Sequence, residues 1–184
     1  KPSDLRIDPW LGPALCEPIF LHDPEHFFEW AQAGARGPFF RPDHVYSRAM
    51  AFIKRARQGQ SLLALSKRGL KIYLRAAMEA ANAVASLDRF PVSGRRQALD
   101  LALQAEHFED PELYSGFLEL IGGDFLSAWD IPTTLAGWAR SYDAASESPA
   151  QRSIPPCRRD YYLHGFQALV EDGHTEAILW PLLQ

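Results

Sequence analysis

The 184-residue sequence predicts an all-α protein, a helical bundle of about six to eight helices with a short strand remnant at its N-terminus. Three observations carry that prediction. From Asp23 onward, Asp-Pro pairs, Ser and Gly punctuate apolar residues that recur at helical spacing. The stretch Ala76 to Ala85 is rich in alanine, which lets neighbouring helices approach closely. Strand-like signals are confined to the start, at Leu5 to Ile7 and Pro18 to Leu21.

Asp23-Pro24 places a capping residue before a proline, and Gly34 is expected to end that first short helix. Asp43 is the cap of a second, in which Val45, Ala49, Phe52, Ile53 and Ala56 repeat at helical spacing. The third is long, from about Ser61 to Leu87, and is expected at the centre of the bundle. Ser93 begins a fourth that reaches about Phe108, and Asp110-Pro111 begins a fifth that Gly122-Gly123 closes. A sixth spans about Pro132 to Ala145, followed by a polar loop from Ser146 to Pro156. The seventh covers about Arg158 to Glu171, ending at Gly173, and Thr175 to Leu183 forms an eighth that Pro181 kinks or terminates.

The expected domains are residues 1–22, a strand and linker remnant of a preceding catalytic sheet, and residues 23–184, a helical bundle with an internal loop at 146–156. A hydrophobic content of 47% is that of a globular chain, and no run of about 18 apolar residues is present to span a membrane. Cys16 and Cys157 are far apart and match no metal or redox spacing, so both are expected as reduced thiols in a cytoplasmic protein. The start lacks a basic-then-apolar layout, and the end lacks a helix-stop signal, so the chain is expected to continue beyond one or both ends. Most of the tryptophans and phenylalanines are expected in the core, with Trp10, Phe39 and Phe40 reserved for contact with a neighbour.

Charge is the most informative feature. Residues 36–96 hold 13 of the 19 Lys and Arg but only 3 of the 23 Asp and Glu, a local balance of +10 against −14 elsewhere. Such segregation creates a directional field and invites an anion. Lys67, Lys71 and Arg75 are spaced four apart and share one helix face; Lys54, Arg55 and Arg57 close the preceding helix, with Arg48 earlier on it. Arg48, Lys67, Lys71 and Arg75 are therefore the candidate nucleotide- or anion-binding residues, with Arg supplying bidentate contacts. The plain alternative is a solvated face of like charges.

The run Arg158 to His164 resembles the Arg-x(4–6)-His signature of HEPN-type RNA-cleaving domains, but Arg159 and His164 stand about 140° apart around a helix and do not share a face. His22, Asp23 and His26 offer nitrogen and oxygen ligands to a metal, although Asp23 is better used as a helix cap. Neither the phosphate-cradling glycine motifs nor a Gly-x-Ser-x-Gly element occurs.

Ser3-Asp4-Leu5-Arg6-Ile7-Asp8 is similar to the strand that carries the third carboxylate of polymerase-β-type nucleotidyltransferases. Ile19-Phe20-Leu21-His22-Asp23-Pro24 resembles the exit from such a catalytic domain. The helix near Tyr46-Ser47-Arg48 and the closing Glu176 to Leu183 look like the C-terminal helical domain of small bacterial members, of the minimal or aminoglycoside-modifying kind. The resemblance implies a helical domain that closes over substrate, with Mg²⁺ and a nucleoside triphosphate as cofactor and substrate. It implies Asp4 or Asp8 as the catalytic carboxylate, since alternation in a strand puts both on one face. The Gly-Ser motif and the Asp-x-Asp pair of that family are absent, so this chain alone is not expected to catalyse transfer. The alternative is a stand-alone helical binding module, HEPN-like or antitoxin-like, that engages RNA or an acidic protein partner. A third is a homodimer in which the basic window of one copy meets the acidic segment Glu106 to Glu112 of another.

Overall fold

The computed structural model describes residues 2–63, 69–88, 90–92, 94, 96–147 and 154–183. Helices run in the order α1 (Pro2–Leu5), α2 (Leu11–Cys16), α3 (Phe27–Arg36), α4 (Pro42–Leu63), α5 (Gly69–Ala85), α6 (Gln97–His107), α7 (Pro111–Leu120), α8 (Ile131–Ser146), α9 (Arg159–Glu171) and α10 (Leu179–Leu183). The protein is all-α, and no strand occurs among the described residues. None of the helices is long and apolar enough to cross a membrane. The chain divides into two compact units, Lys1–Gly94 and Arg95–Gln184. Residues 1–22 fall within the first unit, where α1 and α2 both pack on α3.

The expected strand at Leu5 to Ile7 is replaced by helix and turn. The Asp8 amide donates to the Asp4 carbonyl at 3.2 Å, and Asp8 Oδ1 accepts the Trp10 and Leu11 amides at 2.9 and 2.6 Å. A side-chain cap on two adjacent amides outweighs the two-residue alternation of so short a fragment. Pro18 to Leu21 form no strand, and Gln32 Nε2 donates to the Pro18 carbonyl at 2.8 Å. Asp23 does cap the next helix, accepting the Phe27, Phe28 and Glu29 amides at 3.1, 2.8 and 3.0 Å. The helix begins at Phe27 rather than Pro24 because His26 is left-handed, with φ 54°. It runs past Gly34 to Arg36.

Helix α4 continues to Leu63, so Ser61 lies inside it and its hydroxyl donates to the Arg57 carbonyl at 3.0 Å. The single long helix expected from Ser61 is therefore broken between Leu63 and Gly69. Pairing of Gly59 with Ala76 and of Arg55 with Glu79 sets α4 and α5 antiparallel. A Cβ on Gly59 would come within 3.0 Å of the Ala76 Cβ, which shows how closely the two helices approach. The alanine-rich half of α5 is buried as expected, at Ala77, Ala81, Ala83 and Ala85. Phe39 packs with Cys16 and Ala35 and meets Phe90 at 5.2 Å, while Trp10 and Phe52 form a T-shaped pair at 5.3 Å.

In the second unit the expected punctuation holds at several places. Asp110 caps α7 through the Glu112 amide, and Gly122 (φ 86°) and Gly173 (φ 81°) supply the left-handed turns after α7 and α9. Ser93 lies outside the described residues, and α6 starts at Gln97. Leu101, Phe117, Ile178, Leu179 and Trp180 form the interior, with Phe117 and Trp180 at 5.6 Å. Trp138 holds α8 to α9 by meeting Tyr162 and Phe166 at 5.9 and 5.0 Å. Pro181 sits in the first turn of α10, where its missing N–H has no intrahelical partner to lose.

Candidate anion-binding face

The basic window lies mainly on α4 and α5, but its charges have three different fates. Arg48 is buried, which removes it from the expected anion face. It lies on the α4 stripe shared with Phe52, Arg55 and Gly59, the side turned to α5. Its Nη1 donates to the Arg6 carbonyl at 2.7 Å and its guanidinium lies over the Phe39 ring at 3.8 Å. Burial pushes the Arg48 pKa below its ordinary value, with the Cys16 thiol opposing that shift.

The second group surrounds a carboxylate. Glu79 is 3% exposed on α5, with Arg55 Nη1 and Arg75 Nε each 3.9 Å away. Burial raises the Glu79 pKa, and the two arginines pull it back down. One of the few acids in the basic window thus stands between two of its arginines. Arg75 and Lys71 remain exposed on α5, and Lys67 lies outside the described residues.

The third group faces solvent along α4. Lys54, Arg57, Gln58 and Ser61, with the apolar Met50 and Ile53, line an open groove of about 600 Å³. Neither Lys54 nor Arg57 forms an ion pair with a described residue. The groove was legible in part: Ser47, Lys54 and Ser61 recur every seven residues, a polar row that a search for apolar periodicity passes over. A lysine and an arginine beside an amide group suit a phosphate, and the apolar Met50 and Ile53 suit a ring.

The carboxylates named from the sequence are occupied differently. Asp8 uses its side chain as the α2 cap, and Asp4 is exposed with its carbonyl closing the α1 turn. Among the described residues no three His, Cys, Asp or Glu side chains converge as metal ligands. With no such cluster, and with Asp8 Oδ1 already accepting two amides, the described residues do not fit the Mg²⁺ that the resemblance implies. The His22, Asp23 and His26 set is likewise taken apart: Asp23 caps α3, and His26 Nδ1 is 2.8 Å from Glu29. Hydrogen bonding to Glu29, more than the nearby charge, raises the His26 pKa.

Arg159 and His164 do not come together. Arg159 pairs with Asp143 and Asp160, both at 2.9 Å, and borders a groove of about 500 Å³ between α8 and α9. His164 borders a different hollow of about 410 Å³ with Tyr161 and Leu169. In the acidic segment Glu106 to Glu112, Asp110 is committed to capping α7. Both cysteines are free, Cys16 buried and Cys157 exposed, and burial pushes the Cys16 thiol up. Comparison with family models, characterised proteins and solved structures finds no match to this chain.

Proposed function

We propose that the chain is a phosphate-binding helical module, the substrate-side part of a nucleotidyltransferase-like protein, whose α4 groove takes the phosphates of a nucleotide. The observation that supports this most is the groove that places Lys54 and Arg57 beside Gln58, Ser61 and an apolar floor. Every lining residue lies on α4, so the site is an open face of one helix. Arg57 offers a fork of donors to a phosphate and Lys54 a compact charge. The surrounding field favours the same ligand, since Lys1–Gly94 carries 13 Lys and Arg against 9 Asp and Glu. The transfer step itself is assigned to carboxylates outside this chain, because the Gly-Ser motif and the Asp-x-Asp pair of that family are absent from its sequence.

A thermal-shift titration with ATP, GTP, CTP and UTP, each with and without Mg²⁺, tests the reading. A nucleotide at about 100 times its dissociation constant stabilises the fold by about 2.7 kcal/mol. Lys54→Glu with Arg57→Glu is expected to abolish the shift, while Lys71→Glu with Arg75→Glu only weakens it. Loss in the second pair alone would move the site to α5. A flat response to every nucleotide, with tightening binding to longer RNA or to an acidic protein, would replace this reading by the binding-module one.

A further inference from the structure

Among the described residues, Glu79 is the only carboxylate that is buried. Its Oε2 accepts no hydrogen bond. A carboxylate out of water and without donors must be compensated by nearby charge or take up a proton. Two guanidiniums stand close and stop short. Arg55 Nη1 from α4 and Arg75 Nε from α5 are each 3.9 Å away, beyond hydrogen-bond reach. These two are the charged groups that face Glu79 among the described residues.

Both arginines keep their donors available. Arg55 and Arg75 are open to water, and neither makes a hydrogen bond with a described residue. Their backbones are fixed relative to each other, because Arg55 lies one turn before Gly59 and Arg75 lies next to Ala76, where the two helices come close. One forked donor from each helix of the hairpin is thus turned to a single anionic position. Glu79 reaches that position from the buried side and leaves the exposed side of both guanidiniums open. Burial makes this carboxyl keep its proton above the ordinary value of 4.5, against the pull of Arg55 and Arg75. Once protonated, it leaves two positive charges without an anion.

We propose that Arg55 and Arg75 form an oxyanion site at the seam of α4 and α5, closed by ionised Glu79 and opened when that carboxyl takes up a proton. The ligand is a free tetrahedral oxyanion of the phosphate class, which accepts from both forks at once. The site is separate from the α4 groove, whose lining does not include Arg55 or Arg75.

Sulfate is the probe, since its charge does not change between about pH 5 and 8, and the readout is the Nε–H resonances of Arg55 and Arg75 at constant ionic strength. Lys54→Gln with Arg57→Gln removes the α4 groove and serves as the background. There both resonances are expected to follow one binding curve, about tenfold tighter at pH 5 than at pH 8. Adding Glu79→Gln is expected to give the tighter value throughout the range. Arg75→Gln, at an exposed position, is expected to abolish the response of Arg55 and keeps the site testable if Glu79→Gln disturbs the fold. No response at pH 5, or a response of one arginine alone, overturns the site. An Arg55 response that survives Arg75→Gln overturns it as well. An affinity that does not change with pH while Glu79 is present, or that keeps its full pH dependence in Glu79→Gln, overturns the role given to Glu79.

Discussion

The two units solve the packing problem with opposite materials. Lys1–Gly94 closes its helices on alanine and glycine, and the helical hairpin brings Gly59 almost against Ala76. Arg95–Gln184 fills its interior with rings, chiefly Trp180, Phe117 and Phe166. Their charges are opposed as well: 13 basic and 9 acidic residues in the first, 6 and 14 in the second. On α3 the small Ala31 and Ala35 face inward while Phe27 and Trp30 are exposed, and the guanidinium of Arg48 lies on a ring rather than in water. Close helix approach thus leaves the first unit with the surfaces suited to recognition, whereas the second holds more of its apolar volume where it stabilises the fold.

If this contrast is physical, the two units must respond to opposite substitutions. Trp180→Ala has the largest expected effect, about 3–5 kcal/mol lost, because it empties a ring-sized volume behind Phe117. Equilibrium denaturation with urea measures it, and a loss below about 1 kcal/mol would show that the aromatic interior collapses freely. In the first unit the damaging change is addition. Gly59→Leu must push α4 from α5 at the Ala76 contact and is expected to cost about 1–3 kcal/mol. A neutral Gly59→Leu would break the comparison at its centre, since close approach would then not be what holds the hairpin.

Legibility followed the range of the forces involved. Local capping was readable: Asp23 and Asp110 cap as their sequences imply, and Gly122 and Gly173 take left-handed turns. Asp8-Pro9 carries the same signal, and Asp8 likewise accepts the Trp10 and Leu11 amides ahead of α2. Arg48 was unreadable for a nonlocal reason. Helical periodicity treats arginine as polar, and only the placement of the Phe39 ring and the Arg6 carbonyl makes a buried position tolerable. Phe39, held for a neighbour, is core, while Phe40 is exposed and the unexpected exposed rings lie on α3. On that helix the Gly34 carbonyl accepts from Arg6 Nε, 28 residues upstream, a contact that periodicity along α3 does not reveal.

The smallest expected effect concerns the seam between the two helices of the hairpin, and it is a matter of sign. Glu79 is held above its ordinary pKa of 4.5 by burial, more than Arg55 and Arg75 lower it. A carboxyl whose folded pKa is raised binds its proton more tightly in the native than in the unfolded chain. Stability therefore falls as pH rises from the unfolded value through the folded one, and the ionised form carries the full penalty above that. Glu79→Gln removes the penalty while keeping the shape, and both arginines retain access to water at 40% and 77% exposure. Below pH 4.5 the variant and wild type are expected to melt together, and above it the variant melts higher, by about 1 kcal/mol at neutral pH. Melting curves between pH 4 and 8 read this directly. A variant that melts lower at neutral pH would mean that the arginine pair outweighs desolvation, and that the basic hairpin needs its one buried acid to stay closed.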